Sequence, residues 1–148
     1  MNFAIAVGRF YEELAARLVA GAQAAFGEAG VGEADVYEVP GAFELPLAAL
    51  YLAESGRYAG VACLGAVIRG ETTHDQHINR AVSLGLMKTA VRSGVPVLFG
   101  VLTCDTLEQA IHRSGGNVGN KGSECAEAAL EMIDLLGKLP GAQPRMKD

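Results

Sequence analysis

The chain has 148 residues, 50% of them hydrophobic and 20% charged, with a net charge of −5. That length suits one domain with its own core, and an acidic balance without any basic run argues against a nucleic-acid surface. No stretch reaches the ~20 apolar residues of a membrane span and no signal peptide precedes the first strand, so a cytoplasmic protein is expected, and three cysteines without paired spacing fit a reducing compartment.

Taken in order, the sequence alternates strand and helix. A strand over Phe3–Val7 stops at Gly8, and a helix over 11–26 carries Leu14, Leu18, Gly21, Ala22 and Ala25 on one face. A second strand, 34–39, is broken by Pro40-Gly41. Pro46 is tolerated only in a first helical turn, so the next helix starts near 41–43, with Leu45, Ala48, Ala49 and Leu52 inward. Residues 60–68 are apolar without alternation, the pattern of a parallel strand covered on both faces.

Gly70 then turns the chain, Thr72 or Thr73 caps a helix, and Ile78, Ala81, Val82, Gly85, Leu86 and Ala90 form its inner face. Leu84, Met87 and Val91 make a second apolar row on that helix. With 50% hydrophobic content in so short a chain, this row points to a homo-oligomer. A fourth strand covers 96–102. Thr106 and Gln109 read as a capping box for a short helix ending at Gly115. The last helix, 121–136, turns Cys125, Ala129, Met132, Ile133 and Leu136 inward. Residues 1–138 thus form the domain, and the Gly- and Pro-containing segment 139–148 reads as a flexible tail. Four strands joined through helical segments imply right-handed crossovers and a flavodoxin-like three-layer αβα sandwich with a parallel sheet.

Ligands of such sheets collect at the carboxyl ends of the strands. The turns there supply Arg9-Phe10, the 41–44 segment, the 70–74 segment and Thr103-Cys-Asp105. The glycine turn into the third helix aims backbone N–H groups at one point, where an anion can bind. His74 stands beside that point, with a side chain suited to proton transfer near neutral pH. His74 and His77 lie three apart on one helix, yet only His112 and scattered carboxylates could complete a metal site, so no metal is expected. The run 115–122 lacks the Gly-Lys-Ser/Thr ending of a P-loop and follows a helix, which excludes that reading.

Gly65-Ala-Val-Ile-Arg-Gly-Glu-Thr-Thr-His74 resembles the signature of the 6,7-dimethyl-8-ribityllumazine synthase family. Three further segments match in order: Arg9-Phe10, Val39-Pro-Gly-Ala-Phe-Glu-Leu-Pro46, and Phe99-Gly-Val-Leu-Thr103 through Asn120-Lys-Gly122. The resemblance implies a strand order of 2-1-3-4. It also implies condensation of 5-amino-6-(D-ribitylamino)uracil with 3,4-dihydroxy-2-butanone 4-phosphate, with no metal or redox cofactor. On that pattern His74 is the catalytic proton shuttle. Phe10, Ala42, Phe43, Glu44, Ala66, Val67, Ile68 and Phe99 hold the pyrimidine and its ribityl chain. Glu71 and Thr72 (through their backbone), Arg113 and Lys121 hold the phosphate, the basic residues coming from a neighbouring subunit. The implied assembly is a homo-pentamer with active sites between subunits. The glycine-rich 115–122 turn, with Gly119-Asn120, is similar to that of the family's sixty-subunit shells.

The chain departs from the family pattern at Asp75-Gln-His77, where an aromatic–acid–aromatic run is common, and at Asn117 and Val118, where basic side chains are frequent. It also starts at its first strand, without the N-terminal segment that usually pairs with a neighbouring sheet. Two other readings share the fold: an archaeal-type riboflavin synthase, which has no phosphate substrate and less use for Arg113, and a non-catalytic flavin-binding or shell-forming protein.

Overall fold

The apolar 60–68 run becomes the second interior strand of one parallel sheet. In the computed structural model, which describes residues 1–142, the strands are β1 (Phe3–Gly8), β2 (Asp35–Val39), β3 (Gly60–Ile68) and β4 (Val97–Cys104). Their order is β2-β1-β3-β4, all parallel, with Ile5 opposite Ala62 and Cys63 opposite Phe99. The helices are α1 (Glu12–Glu28), α2 (Leu45–Glu54, entered through a 3-10 turn Ala42–Glu44), α3 (His74–Ser93), α4 (Leu107–His112) and α5 (Lys121–Leu136). No helix among the described residues is long and apolar enough to cross a membrane.

Alternation along each strand divides the core in two. Phe3, Ile5, Val7, Ala62 and Leu64 meet Leu14, Leu18 and Phe26 of α1 and Cys125, Ala126 and Ala129 of α5. On the opposite face Ala4, Ala6, Val61, Cys63 and Val67 meet Leu45 and Ala49 of α2 and Val82 and Leu86 of α3. The interior strands β1 and β3 are apolar on both faces because both faces are covered, whereas edge strand β2 is largely exposed.

Several boundaries differ from the sequence reading, each for a local reason. β4 runs on to Cys104 because its pairing with β3 continues to Ile68. On α3, Ala81 faces outward and Thr89 inward, where its hydroxyl donates to the Gly85 carbonyl and so buries without an unmet donor. On α5, Met132 is exposed and Ala126 takes the inner position. Thr106 caps α4 by accepting from the Gln109 N–H, but the Gln109 side chain reaches one residue further back, to the Asp105 N–H. The expected tail opens with a 3-10 turn, Pro140–Ala142; from residue 143 on it lies outside the described residues.

The largest difference follows α4, which ends at His112 instead of Gly115. Ser114–Gly116 (β5) and Gly119–Asn120 (β6) form a small antiparallel hairpin, with Gly115 and Gly119 at φ of 108° and 94°. Arg17 of α1 stops the helix by donating to the carbonyls of Ile111 and Ser114, at 3.2 and 3.1 Å. Asn120 then caps α5 by accepting from the Ser123 N–H while its amide donates to the Arg17 carbonyl. Ser123 donates to the Gly21 carbonyl. Sequences between residues 111 and 123 are thereby tied to α1, and with them Arg113 and Lys121.

Two predictions follow from this packing. A Cβ on Gly122 would stand 1.9 Å from the Leu18 carbonyl oxygen, a backbone atom that cannot yield alone. Gly122→Ala should therefore destabilise by at least about 2 kcal/mol, read as a lowered urea midpoint; an unchanged midpoint contradicts the α1–α5 contact described here. Burial pushes the Cys63 thiol upward, and burial pushes Cys125 from 9.0 up to about 12. Between pH 9 and 12 the unfolded chain ionises Cys125 and the folded chain does not. Its contribution is complete below pH 9 and is lost as pH rises through that window. Stability should fall across it, and Cys125→Ala should flatten the fall; equal slopes for both proteins would contradict this.

Candidate active site

The strand ends open into a cleft of about 660 Å³. β1 hands over to Phe10 and Tyr11, β2 to the Gly41–Glu44 turn, and β3 contributes Ala66, Val67 and Ile68 from its last turns of pleat. Gly70, Thr72, His74, Asp75, His77 and Ile78 close the far wall. Phe10 and Phe43 are 75% and 63% exposed, with Phe10 edge-on to Tyr11 at a centroid distance of 4.9 Å. The floor is apolar backbone and small side chains, while the rim carries rings and titratable groups. A flat aromatic ligand fits that division.

The α3 start is built differently from a simple threonine cap. Thr73 occupies the cap position without a side-chain cap bond, at ψ of 12°. Thr72 Oγ1 instead accepts from the His74 N–H at 3.2 Å, and Thr73 Oγ1 lies 3.4 Å from His77 Nε2. The imidazole of His74 is exposed to the cleft. Its position in the first turn follows from Gly70 ending the strand extension and from two threonines that favour caps over helix interiors.

Nine of the expected site residues line this one cleft: Phe10, Ala42, Phe43, Glu44, Ala66, Val67, Ile68, Thr72 and His74. Glu71 is exposed beside it without lining it. Phe99 lies elsewhere, opposite Cys63 on edge strand β4 and 40% exposed. The cleft begins at Ala66, three residues further along β3, roughly 10 Å away along the strand. Arg113 and Lys121 form a second group outside the cleft. The Lys121 N–H donates to the Arg113 carbonyl at 2.8 Å, and Arg113 Nη1 approaches Cys104 Sγ at 3.9 Å.

Tyr11, Asp75 and Ile78 also line the cleft but were not among the expected ligand contacts, and neither was His77. The spacing of His77 and Ile78 from His74, three and four along a helix, is the signal that marks them. Asp75 carries no such periodic signal.

The charge of the cleft is one-sided. Its lining includes Glu44 and Asp75 and no lysine or arginine. Among the described residues no group of three or more His, Cys, Asp and Glu side chains is arranged to hold a metal ion. Phe43 of the cleft rim continues outward, with Leu47 and Tyr51, as an exposed row along the 3-10 turn and α2. Leu84, Met87 and Val91, at 44%, 59% and 81% exposure, form another on α3.

Comparison with known proteins bears on this arrangement. Residues 1–137 match the profile of the family described as 6,7-dimethyl-8-ribityllumazine synthase. A relative from Syntrophus aciditrophicus (strain SB), named 6,7-dimethyl-8-ribityllumazine synthase, is 50% identical over 141 residues, covering 94% of this chain and 92% of its own length. Among solved structures, a de novo designed Rossmann fold protein covers 90% of this chain and 99% of its own at a TM-score of 0.43 and 12% identity, a likeness too distant to carry an argument.

Proposed function

The chain belongs to the 6,7-dimethyl-8-ribityllumazine synthase family, and on that premise we propose how its residues share out the family's reaction. The enzyme condenses 5-amino-6-(D-ribitylamino)uracil with 3,4-dihydroxy-2-butanone 4-phosphate and releases phosphate and water. The 5-amino group attacks the ketone and loses water to give an imine. Phosphate then leaves, and the ribityl-bearing nitrogen closes the second ring with loss of another water. Proton transfers accompany each step, and positioning two reactants in one cleft supplies much of the acceleration.

The observation that carries the reading is His74 on the wall of a cleft otherwise made from the family's ligand-holding segments. His74 is the shuttle. Phe10 and Phe43 cover the pyrimidine ring, the Ala66–Ile68 backbone binds its edge, and the 42–44 turn receives the ribityl chain. A phosphate, however, needs cations or a fork of N–H donors, and this cleft offers Glu44 and Asp75 instead.

The clamp therefore comes from a second subunit. Arg113 and Lys121 of one chain reach over the His74 cleft of the next, helped by the Glu71–Thr72 backbone. The exposed rows on α2 and α3 are surface that such an assembly buries. We take the unit to be a homo-pentamer, and the hairpin between Ser114 and Asn120 is the element that would admit a sixty-subunit shell. Three free, buried cysteines fit a cytoplasmic location. Phe99, on the sheet edge, contacts ligand only if it too serves a neighbour's cleft.

Mixing the protein with both substrates should generate the fluorescent lumazine, and no product from the wild type contradicts the assignment. His74→Ala should lower kcat by about 10²-fold, the lower end for acid–base groups, because amine–ketone condensation proceeds partly unaided. An unchanged kcat with intact fold removes His74 from the mechanism.

A further inference from the structure

Departure of phosphate sets a second proton problem. Amine attack and loss of water move protons on nitrogen and oxygen, the atoms that His74 serves. Phosphate leaves only after the adjacent, hydroxyl-bearing carbon has given up its proton, and the carbon it leaves must then gain one. Five titratable side chains line the cleft: Tyr11, Glu44, His74, Asp75 and His77. Asp75 has one oxygen buried out of a ligand's reach and without a partner. Imidazole is the side chain that takes up and returns a proton near neutral pH without help from burial or a charged neighbour. His74 and His77 are both exposed, three residues apart at the start of α3, which sets their Cβ atoms about 5–6 Å apart on one face.

The helix start also holds the second ring. Thr73, at the cap position, makes no side-chain cap bond, and its hydroxyl lies 3.4 Å from His77 Nε2. A hydroxyl donates to a bare ring nitrogen and accepts from a protonated one, so this partner serves either state of the imidazole. Among the described residues Nδ1 of His77 has no hydrogen-bond partner, and the ring joins no ion pair.

We propose that His77 is a second catalytic residue of this cleft, moving the carbon-bound proton while His74 serves the nitrogen. The proposal rests on the reading of the cleft given above. Loss of the first water, with a proton from His74, leaves a protonated imine. His77 takes the proton from its hydroxyl-bearing carbon, and the C–H electron pair forms the enamine. The enamine nitrogen's pair then expels phosphate, which leaves with the C–O electrons, and His74 removes the remaining N–H proton. His77 returns its proton to the terminal carbon, which becomes a methyl group as the enol becomes a ketone. The enol's own proton is the one the phosphate takes up.

The test follows phosphate release and lumazine formation in wild type, His77→Gln and His77→Ala, with hydrogen or deuterium on the hydroxyl-bearing carbon of the ketone. Glutamine keeps a polar side chain beside Thr73 but cannot shuttle a proton. In both variants kcat should fall by about 10²-fold, the lower end for acid–base groups, with both KM values nearly constant. Deuterium should slow phosphate release more in His77→Gln than in wild type, and no more in His74→Ala than in wild type. Free imidazole should restore part of the rate of His77→Ala. An unchanged kcat overturns the proposal, as does a rise in both KM values at constant kcat. A lower kcat with the wild-type deuterium effect and no rescue by imidazole also overturns it, since that assigns His77 to the fold or to a subunit contact. Wild type that forms no lumazine defeats the reading of the cleft and the proposal with it, whereas an equally active His77→Gln defeats the proposal alone.

Discussion

Burial of β3 on both faces and along both edges is the constraint on which the rest depends. Its edges pair with β1 and β4, and its side chains from Val61 to Leu64 are fully enclosed. A strand so placed can present chemistry only where it ends. Gly70 releases the chain at that end, and α3 returns it across the sheet with His74 in the first turn. The cleft is thus an outcome of parallel topology: the ends of β1, β2 and β3 converge there, while edge strand β4 delivers its Thr103–Asp105 end elsewhere. The same constraint explains why the binding floor is backbone and small residues. Those positions belong to the core before they belong to the site.

Electrostatics then divides the chemistry. A cleft lined by Glu44 and Asp75 is hospitable to a donor-rich amine and hostile to a phosphate. The basic pair Arg113 and Lys121 is held away from it, at the two ends of a hairpin whose placement is fixed by Arg17, Asn120 and Ser123. Arg17 carries charge yet works as a helix stop, donating to the carbonyls of Ile111 and Ser114, the first of which also accepts from the Ser114 hydroxyl. Keeping the acceptor-rich and cation-rich surfaces on separate parts of one fold lets a second copy bring them together.

Much of this was legible in the residues. The unalternating 60–68 run marked the buried strand, Pro46 fixed the start of α2 to within a turn, and the Leu84–Met87–Val91 row announced a face without an internal partner. The companion row of Phe43, Leu47 and Tyr51 was missed because its period begins in a 3-10 turn and continues into an α-helix. The 114–120 hairpin was invisible to periodicity, since its strands are two and three residues long and held by a side chain from α1. Asp75 was visible only as a departure from a family pattern. Its unmet oxygen is a property of three-dimensional burial, which spacing along a chain does not encode.

The central claim is that one active site draws on two chains. Co-refolding His74→Ala subunits with Arg113→Ala subunits tests it most directly, each variant being impaired alone. In a mixed ring roughly one site in four joins an intact His74 to a neighbour's intact Arg113. The account predicts lumazine synthesis well above that of either parent, appearing only after the subunits have exchanged. Activity no greater than the average of the two parents would mean that both residues serve the same chain's cleft, and would contradict it.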